Sequence, residues 1–350
     1  MAADVVTIGQ ATLHNAECLA FMRGMAENSV DAIITDPPYF RVKGEAWDNQ
    51  WDTPAEFLAW VGQLCEQFER ILKPNGSLYF FASPQMAARV EVEIGWRFNV
   101  LNSITWRKGS AARTSLSRGN ASEKEALRQF WPESERIIFA EHYGADNIAK
   151  GEAGYEAKCD KLRGFVFEPL RAYLDGERIR AGFDRKACDA ACGNQMSGHY
   201  FSPVQWTLPT ADNYEKLRAA FNAGGGEYLR REYEYLRREY EDLRREYEDL
   251  RRPFAVTAKD QWSDVWEFDP VGAYPGKHPC EKPLPLLCHI LQASTRPGAV
   301  VFDPFAGSGS LAHACHDMGR QFIGTEQCPD NFRKAAARIA HVCGQERLFA

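Results

Sequence analysis

Two stretches of the chain, one near each end, combine short apolar runs with amphipathic segments. Residues 30–35, Val-Asp-Ala-Ile-Ile-Thr, are mostly apolar and have the length of a buried strand. Across residues 54–72 the apolar positions recur every three or four residues, which predicts an amphipathic helix. Residues 73–76 contain Pro, Asn and Gly and predict the end of this helix, and residues 77–82 and 102–106 predict two further strands.

The same alternation returns at the far end of the chain. Residues 300–303 predict a strand that leads into a glycine-rich turn and a helix, and residues 322–326 predict another strand. Strands that alternate with helices form parallel sheets. The sequence therefore predicts an α/β fold whose sheet is built from both chain ends, residues 1–108 and 276–350, with residues 109–275 inserted between them.

The inserted region has a different pattern and is predicted to be mostly helical. Residues 109–122 are rich in Ser, Ala, Gly and Arg without periodicity, which predicts a loop. Further on, residues 231–237 recur in closely similar form as residues 238–244 and again as residues 245–251. This repeat predicts one helix over about residues 227–252.

The repeat places Tyr and Leu four and three positions apart, on one side of the predicted helix. We call this the Tyr/Leu seam; its residues are Leu229, Tyr233, Leu236, Tyr240, Leu243, Tyr247 and Leu250. The interpretation favoured here is a solvent-exposed helix that packs on its own domain through this seam. A dimer seam and a strut along DNA are the two alternatives.

The first candidate for chemistry is residues 36–39, Asp-Pro-Pro-Tyr, at the end of a predicted strand. The exocyclic amine of a nucleobase is a poor nucleophile because its lone pair is delocalised into the ring. The Asp36 carboxylate and the Pro37 carbonyl, held rigid with Pro38, can accept its N–H groups. The Tyr39 ring can stack on a base that has left the duplex. Asp-Pro-Pro is also an ordinary turn after a strand, which is the structural alternative.

The second candidate is the glycine-rich turn at residues 302–310, between a predicted strand and a predicted helix. Glycines there let the backbone approach a ligand closely and place it near a helix N-terminus. Glu326 follows at the end of the next strand, where a carboxylate can bind the hydroxyls of a ribose. A generic nucleotide-binding turn or a tight strand-to-helix connection is the alternative, but the combination with Glu326 and residues 36–39 favours a nucleoside cofactor.

Several motifs occur in an order that resembles the amino-methyltransferases of DNA, in their beta group, in which the catalytic turn comes first and the cofactor loop last. The matching segments are residues 36–39, 47–51, 70–76, 104–108, 278–283 and 302–309. The resemblance covers about residues 10–145 and 276–345. It implies a Rossmann-like fold, S-adenosylmethionine as methyl donor, double-stranded DNA as substrate and often a homodimer.

The resemblance also implies roles for individual residues. The segment with His278 and Lys282 is expected to help hold the methionine end of the cofactor. Glu17 stands where such proteins commonly have an Asp that faces the adenine of the cofactor. The candidate cofactor-binding residues are Glu17, Asp36, His278, Lys282, Pro283, Asp303, Pro304, Phe305, Gly307, Ser308, Gly309 and Glu326.

The residue at position 36 bears on the target base. Asp favours adenine N6 by resemblance, since enzymes that methylate cytosine N4 more often carry Ser-Pro-Pro. The expected mechanism is direct displacement, in which the amine attacks the methyl carbon in line and the enzyme contributes mainly positioning. Such a mechanism needs no metal. Cytosine N4 and RNA are the alternative acceptors.

A basic loop predicts contacts to DNA phosphates. Residues 109–122 contain Arg113 and Arg118 and no acidic residue, and Arg107 and Lys108 precede them. A basic loop close to the catalytic turn suits phosphate contact. An ordinary solvent-exposed loop is the alternative.

A second segment predicts base contacts. Residues 170–221 predict four helices in succession and resemble the helix-turn-helix of phage repressors. Asp189 departs from that pattern, because the second helix usually has a small residue there. The candidate base-reading residues are Asn194, Gln195, Ser197 and His199.

Composition adds four expectations. A net charge of −6 at pH 7 does not indicate a nucleic-acid binder as a whole, so DNA contact depends on local basic residues. No apolar stretch is long enough to span a membrane, and the first residues lack a signal-peptide pattern, so a cytoplasmic location is expected. The ten cysteines form no paired framework and fit no common zinc spacing, which predicts reduced thiols and no metal site.

Overall fold

A computed structural model describes residues 4–42, 44, 46–109, 133–141, 153–203, 205–250 and 263–345. The chain divides into two compact units, one within residues 1–150 and 254–350 and the other within residues 151–253. The sequence placed the boundaries near residues 108 and 275 instead. The difference arises because two strands between those positions belong to the sheet of the first unit.

The first unit contains one mixed sheet of nine described strands. They are β1 Val5–Ile8, β2 Ala11–His14, β3 Val30–Thr35, β4 Leu72–Ala82, β5 Asn99–Lys108, β6 Ser134–Glu141, β7 Val265–Phe268, β8 Val300–Asp303 and β9 Gln321–Thr325. Their order is β1-β2-β9-β8-β3-β4-β6-β5-β7. Strands β2, β9, β8, β3 and β4 are parallel, and β6 pairs antiparallel with both β4 and β5. The predicted α/β fold with a sheet from both chain ends is confirmed.

Twelve α-helices are described. They are α1 Cys18–Arg23, α2 Pro54–Ile71, α3 Ala87–Gly95, α4 Ala153–Val166, α5 Glu168–Arg180, α6 Arg185–Cys192, α7 Ser197–Phe201, α8 Ala211–Asn222, α9 Tyr233–Leu250, α10 Leu284–Ser294, α11 Ser310–Asp317 and α12 Pro329–Gln345. Helices α4 to α9 form the second unit, which is entirely helical in its described part.

The sheet is covered on both faces. Alternate residues of β4 point to opposite sides, so Tyr79 and Phe81 enter one apolar core while Leu78 and Phe80 enter the other. The first core includes residues of α10, α11 and α12, and the second includes residues of α1, α2 and α3. A sheet buried on both faces explains why its strands read as nearly continuous apolar runs.

Helix α2 confirms the helix predicted from apolar periodicity. Its predicted apolar positions, Phe57, Val61, Leu64, Phe68 and Ile71, are all buried. The helix ends before residues 73–76, as predicted. The prediction that the next strand begins only at residue 77 was wrong, because β4 already begins at Leu72. Leu72 pairs with Val30 and Ser77 pairs with Ala32, so the register shifts and the intervening residues bulge. Pro74, which has no N–H, falls within this bulge.

The Tyr/Leu seam packs on the core of the second unit. Leu236 is fully buried, Tyr247 is 7% exposed, and the Tyr240 ring lies 5.3 Å from the ring of Phe167. Helix α9 covers Tyr233–Leu250, somewhat less than the predicted 227–252. The favoured interpretation, a surface helix packed on its own domain, is confirmed for the described part of the seam.

No described helix combines the length and the apolar character that crossing a membrane requires. Within the same residues, no three His, Cys, Asp or Glu side chains are grouped so that they could hold a metal ion.

Candidate active site

The candidate site lies at the carboxyl edge of the central strands. Strands β3 and β8 are neighbouring and parallel, so residues 36–39 and residues 304–309 leave the sheet at the same edge. Strand β9 is parallel to β8 and brings Glu326 to that edge as well. The fold therefore brings together the two segments that the sequence identified separately.

A cavity of about 600 Å³ opens at this edge. The predicted catalytic and cofactor-binding residues that line it are Glu17, Asp36, Pro37, Pro38, Tyr39, His278, Lys282, Asp303, Pro304, Phe305, Gly307, Ser308 and Glu326. Pro283 and Gly309 are not among the lining residues. They are the N-cap residues of α10 and α11 and shape the chain next to the cavity.

Four charged side chains form a cluster at the turn of residues 36–39. Lys282 Nζ donates to Asp36 Oδ2 at 2.5 Å and lies 3.4 Å from Glu135 Oε2. Glu135 Oε2 also accepts a hydrogen bond of 3.1 Å from the Tyr39 hydroxyl, and Lys108 Nζ lies 2.8 Å from Glu135 Oε1. Two positive and two negative charges thus pair with each other, which offsets the cost of taking them out of water.

Burial and these neighbours shift the pKa values of the cluster. Burial raises the pKa of Asp36; Lys282 lowers it and Glu135 raises it, and the net shift is upward. Burial would also raise the pKa of Glu135, but Lys282 and Lys108 outweigh burial and lower it to about 2. Burial would lower the pKa of Lys282, but its two carboxylate partners raise it instead. The Asp36 carboxylate is therefore a stronger hydrogen-bond acceptor than an ordinary aspartate.

The two oxygens of the Asp36 carboxylate differ in their hydrogen bonds. Its Oδ2 accepts from Lys282, whereas its Oδ1 is buried and meets no donor among the described residues. Leaving a buried acceptor unpaired costs about 1–3 kcal/mol, so a ligand that brings an N–H group to this oxygen would recover that free energy. Pro37, Pro38 and the ring of Tyr39 line the cavity beside it.

The glycine-rich turn is tied to Glu326 through backbone hydrogen bonds. The N–H of Gly307 donates to Glu326 Oε2 at 3.0 Å, and the N–H of Cys328 donates to Oε1 at 2.8 Å. Gly307 has a φ of 49°, and a Cβ there would lie 3.2 Å from the His278 ring. Glycine avoids both the strain and the crowding. Each carboxylate oxygen can accept a further hydrogen bond, so Glu326 can still bind ribose hydroxyls.

Asp303 is a buried carboxyl at the start of the same turn. It is 7% exposed, and its Oδ1 accepts from the N–H of Phe305 at 3.0 Å. Burial raises the pKa of Asp303 to about 8; the hydrogen bond from Phe305 lowers it, while Asp36 and Glu326 raise it. Asp303 is therefore mostly protonated at neutral pH.

We expect Asp303 to make the ligand-free protein less stable as the pH rises. The folded pKa of about 8 exceeds the unfolded value near 4, so its contribution is complete below about pH 4 and is lost as the pH rises through about 8. Asp303→Asn cannot ionise and should show a weaker decline. Urea unfolding at about pH 5 and about pH 8 measures both declines. Equal declines in the two proteins would contradict this account.

Glu17 lies at the cavity, but its carboxylate also begins a helix. Its Oε1 accepts from the N–H of Leu19 at 2.8 Å and its Oε2 from the N–H of Ala20 at 2.7 Å. These bonds cap the N-terminus of α1. A contact of Glu17 with the adenine of a cofactor stays a prediction, to which the structure adds the capping role.

The segment that carries His278 and Lys282 is held by Glu281, which is 8% exposed. Glu281 accepts hydrogen bonds from the Tyr274 hydroxyl and, at 2.7 Å, from the guanidinium of Arg338 in α12. This arrangement links the segment to the C-terminal helix. It therefore limits how far the two cavity residues can move.

The predicted DNA-binding residues of the first unit are partly engaged within the protein. Lys108 pairs with Glu135, and Arg107 lies 3.4 Å from Glu267 in an exposed ion pair. Exposed pairs of this kind contribute little stability, so Arg107 can exchange Glu267 for a phosphate. Arg113 and Arg118 lie outside the described residues.

The predicted base-reading residues of the second unit differ in accessibility. Gln195 is exposed, and Asn194 and His199 are partly exposed. Ser197 is 3% exposed, and its N–H donates to Asp189 Oδ1 at 2.9 Å. Ser197 is therefore too buried to contact a base. Repressors usually have a small residue at the position of Asp189. Here the Asp189 side chain has a structural role, because it accepts this hydrogen bond and holds the start of α7.

Glu135 and Glu281, which hold site residues in place, were not singled out from the sequence. Glu135 follows a long segment without periodicity, although the apolar run at residues 137–140 after it is a strand signal. If this run is taken as a strand that pairs antiparallel with β4, its first residues lie at the carboxyl edge of the parallel strands. Glu135 would then have been placed at the same sheet edge as the site. Glu281 lies within the matched segment 278–283 but was given no role of its own.

Comparisons with known proteins agree with this architecture. The N6/N4 family described as DNA methylase matches residues 30–337. The chain is 23% identical over 322 residues to the DNA adenine methyltransferase YhdJ of Escherichia coli K12, covering 90% of this chain and 78% of YhdJ. It is 23% identical over 331 residues to the Type II methyltransferase M2.MboI of Moraxella bovis, covering 90% and 82%. Its fold is similar to that of the cytosine-N4-specific PvuII DNA methyltransferase, with a TM-score of 0.50, 11% identity, and coverage of 97% of this chain and 93% of the other.

Proposed function

Because the chain belongs to the N6/N4 family of DNA methylases, we propose that this DNA methyltransferase transfers a methyl group from S-adenosylmethionine to N6 of adenine. The order of its motifs, with the catalytic turn before the cofactor loop, is that of the beta group. The observation that carries the proposal is the buried Asp36 Oδ1, which lacks a donor among the described residues and lies beside the Tyr39 ring in the cavity.

The cavity residues fit S-adenosylmethionine. The Gly307 turn gives the close backbone approach that the nucleoside needs, and Glu326 offers its carboxylate to the ribose hydroxyls. Asp303, His278 and Lys282 line the same cavity. When bound, the cofactor supplies a methyl group on a sulfonium, an electrophile that the base amine can attack directly.

The enzyme's own residues orient the base amine. Tyr39 stacks on the adenine that has left the duplex, which offsets part of the unstacking cost. Asp36 Oδ1 and the carbonyl of Pro37 accept the two amine hydrogens and turn the nitrogen lone pair towards the methyl carbon. Asp36 would take up the proton that the nitrogen loses on methylation. Lys282 holds Asp36 through its other oxygen. The rate enhancement comes from this positioning, since no covalent enzyme intermediate is required.

DNA recognition is proposed for the second unit and for the basic residues around 107–118. In the repressor-like helices, Gln195, Asn194 and His199 are accessible enough to read base edges in the major groove. Arg107, Arg113 and Arg118 would bind phosphates, whereas Lys108, which was predicted to do the same, is paired with Glu135. A homodimer, which the family resemblance implies, is a further prediction that analytical sedimentation tests.

Transfer of a labelled methyl group from S-adenosylmethionine to unmethylated duplex DNA tests this function. We expect label in duplex DNA and none in a matched RNA or protein substrate. Failure to label DNA, in protein shown to bind S-adenosylmethionine, would overturn the proposal.

The Arg338–Glu281 link gives a prediction for cofactor binding. Arg338→Ala leaves Glu281 buried without its cationic partner and loosens the segment with His278 and Lys282. We expect the KM for S-adenosylmethionine to rise about 10-fold, with the DNA Kd unchanged. Arg333→Ala is the matched control, because Arg333 lies in the same helix and pairs with the exposed Asp330. Equal KM values for both variants would refute the role of the link.

A further inference from the structure

Glu135 is the one member of the charged cluster that the proposed mechanism leaves without a role. It lies near the start of β6, opposite Trp106 of β5 in the register, and its side chain is 15% exposed. Because β6 runs antiparallel to β4, its beginning is at the carboxyl edge of the parallel strands, next to the catalytic turn.

We propose that Glu135 is a positioning residue for methyl transfer, because it holds both Tyr39 and Lys282 at the catalytic carboxylate. The inference rests on the proposed function, since it concerns how that reaction is arranged. Glu135 Oε2 accepts from the Tyr39 hydroxyl at 3.1 Å and lies 3.4 Å from Lys282 Nζ. One oxygen atom thus fixes the residue that stacks on the base and the residue that holds Asp36.

The two carboxylates of the cluster, Glu135 and Asp36, have different roles. Both oxygens of Glu135 have donors within the protein, since Oε1 pairs with Lys108 at 2.8 Å. Asp36 has a donor on Oδ2 but none on Oδ1 among the described residues. Glu135 therefore arranges its neighbours, and Asp36 receives the substrate amine.

Sharing Lys282 between two carboxylates affects Asp36 directly. Without the charge of Glu135, Lys282 would pair with Asp36 alone, and its charge would draw more electron density from that carboxylate. Glu135 also raises the pKa of Asp36, so its neutralisation lowers that pKa. Both effects make Asp36 a weaker acceptor for the amine.

The hydrogen bond from the Tyr39 hydroxyl to Glu135 also fixes the orientation of the Tyr39 ring. An aromatic side chain anchored at its far end has fewer orientations, so stacking a base on it loses less entropy. The hydrogen bond to Glu135 is such an anchor. Its loss should misplace the base relative to the methyl carbon, and misplacements of about 1 Å can cost about 100-fold in rate.

The test compares Glu135→Gln, Tyr39→Phe and the control Glu141→Gln. Glu141 is a buried residue at the other end of β6, far from the catalytic turn. It lies opposite Ser77 of β4 in the strand register. We expect Glu135→Gln to lower kcat about 10- to 100-fold, leave the Kd for S-adenosylmethionine within about 2-fold and shift the acid limb of the kcat profile to lower pH. Tyr39→Phe should lower kcat about 10-fold without moving the acid limb to lower pH, because the Tyr39 hydroxyl lowers the pKa of Asp36 and its removal cannot lower that pKa further. Glu141→Gln should keep the wild-type kcat and profile.

Several outcomes would overturn the inference. Wild-type kcat in Glu135→Gln is one, and a fall in kcat without movement of the acid limb is another. If Glu135→Gln does not bind S-adenosylmethionine, the Tyr39→Phe variant provides the test instead. A wild-type kcat in Tyr39→Phe would contradict the inference. A wild-type protein that transfers no methyl group to DNA would instead refute the proposed function itself.

Discussion

Replacement of Asp36 by alanine is expected to lower kcat by about 1,000-fold. The substitution removes the oxygen that accepts the substrate amine, and it also leaves Lys282 with Glu135 as its remaining carboxylate partner. An acceptor that acts on the reacting nitrogen contributes to the transition state more than to the ground state, so the loss falls on kcat. Single-turnover methylation with excess enzyme measures the chemical step directly.

The control for this prediction separates charge from shape. Asp36→Asn keeps an oxygen acceptor but not the charge, so its kcat should lie between those of the wild type and of Asp36→Ala. DNA binding should remain measurable in both variants, because DNA affinity comes mainly from contacts to phosphates elsewhere on the protein. Turnover at the wild-type rate in Asp36→Ala would remove Asp36 from the mechanism.

Replacement of Glu326 by alanine should raise the KM for S-adenosylmethionine by about 100-fold. A carboxylate that accepts from ribose hydroxyls makes charge-assisted hydrogen bonds, each worth about 1.5–3 kcal/mol. The variant also loses the acceptor for the N–H groups of Gly307 and Cys328, which hold the turn. Isothermal titration calorimetry with S-adenosylhomocysteine gives the same loss without turnover.

Gln327→Ala is the matched control for Glu326, since Gln327 is the next residue and lines the same cavity without an assigned role. Its Kd should stay close to that of the wild type. Glu326→Gln keeps an oxygen for Gly307 and should lose less affinity than Glu326→Ala. A normal Kd in Glu326→Ala would place the ribose elsewhere in the cavity.

The parts of the site that follow from local pattern could be predicted from the sequence. Residues 36–39 and the turn at 302–310 each follow a short apolar strand, and parallel strands deliver their carboxyl ends to one edge. The same regularity explains helix α2, where each apolar position at helical spacing is buried. In these cases the residue type and its spacing carry the information.

Pairing between distant strands could not be predicted in the same way. Glu135 meets Tyr39 because β6 runs antiparallel in an otherwise mostly parallel region, and a period-2 or apolar pattern does not state strand direction. The hydrogen bonds that individual side chains make within the protein could not be predicted either. Glu17 caps α1, and Asp189 holds the N–H of Ser197, which removes Ser197 from the surface. A helix-turn-helix pattern alone does not show which of its residues are buried.

The proposed methyl acceptor is N6 of adenine in DNA. The most direct measurement is nucleoside mass spectrometry on unmethylated duplex DNA that was incubated with the purified protein and S-adenosylmethionine carrying an isotope-labelled methyl group. We predict the label in N6-methyladenine. Label in N4-methylcytosine would contradict the assigned base while keeping the methyltransferase activity, and no label in any deoxynucleoside would contradict the function.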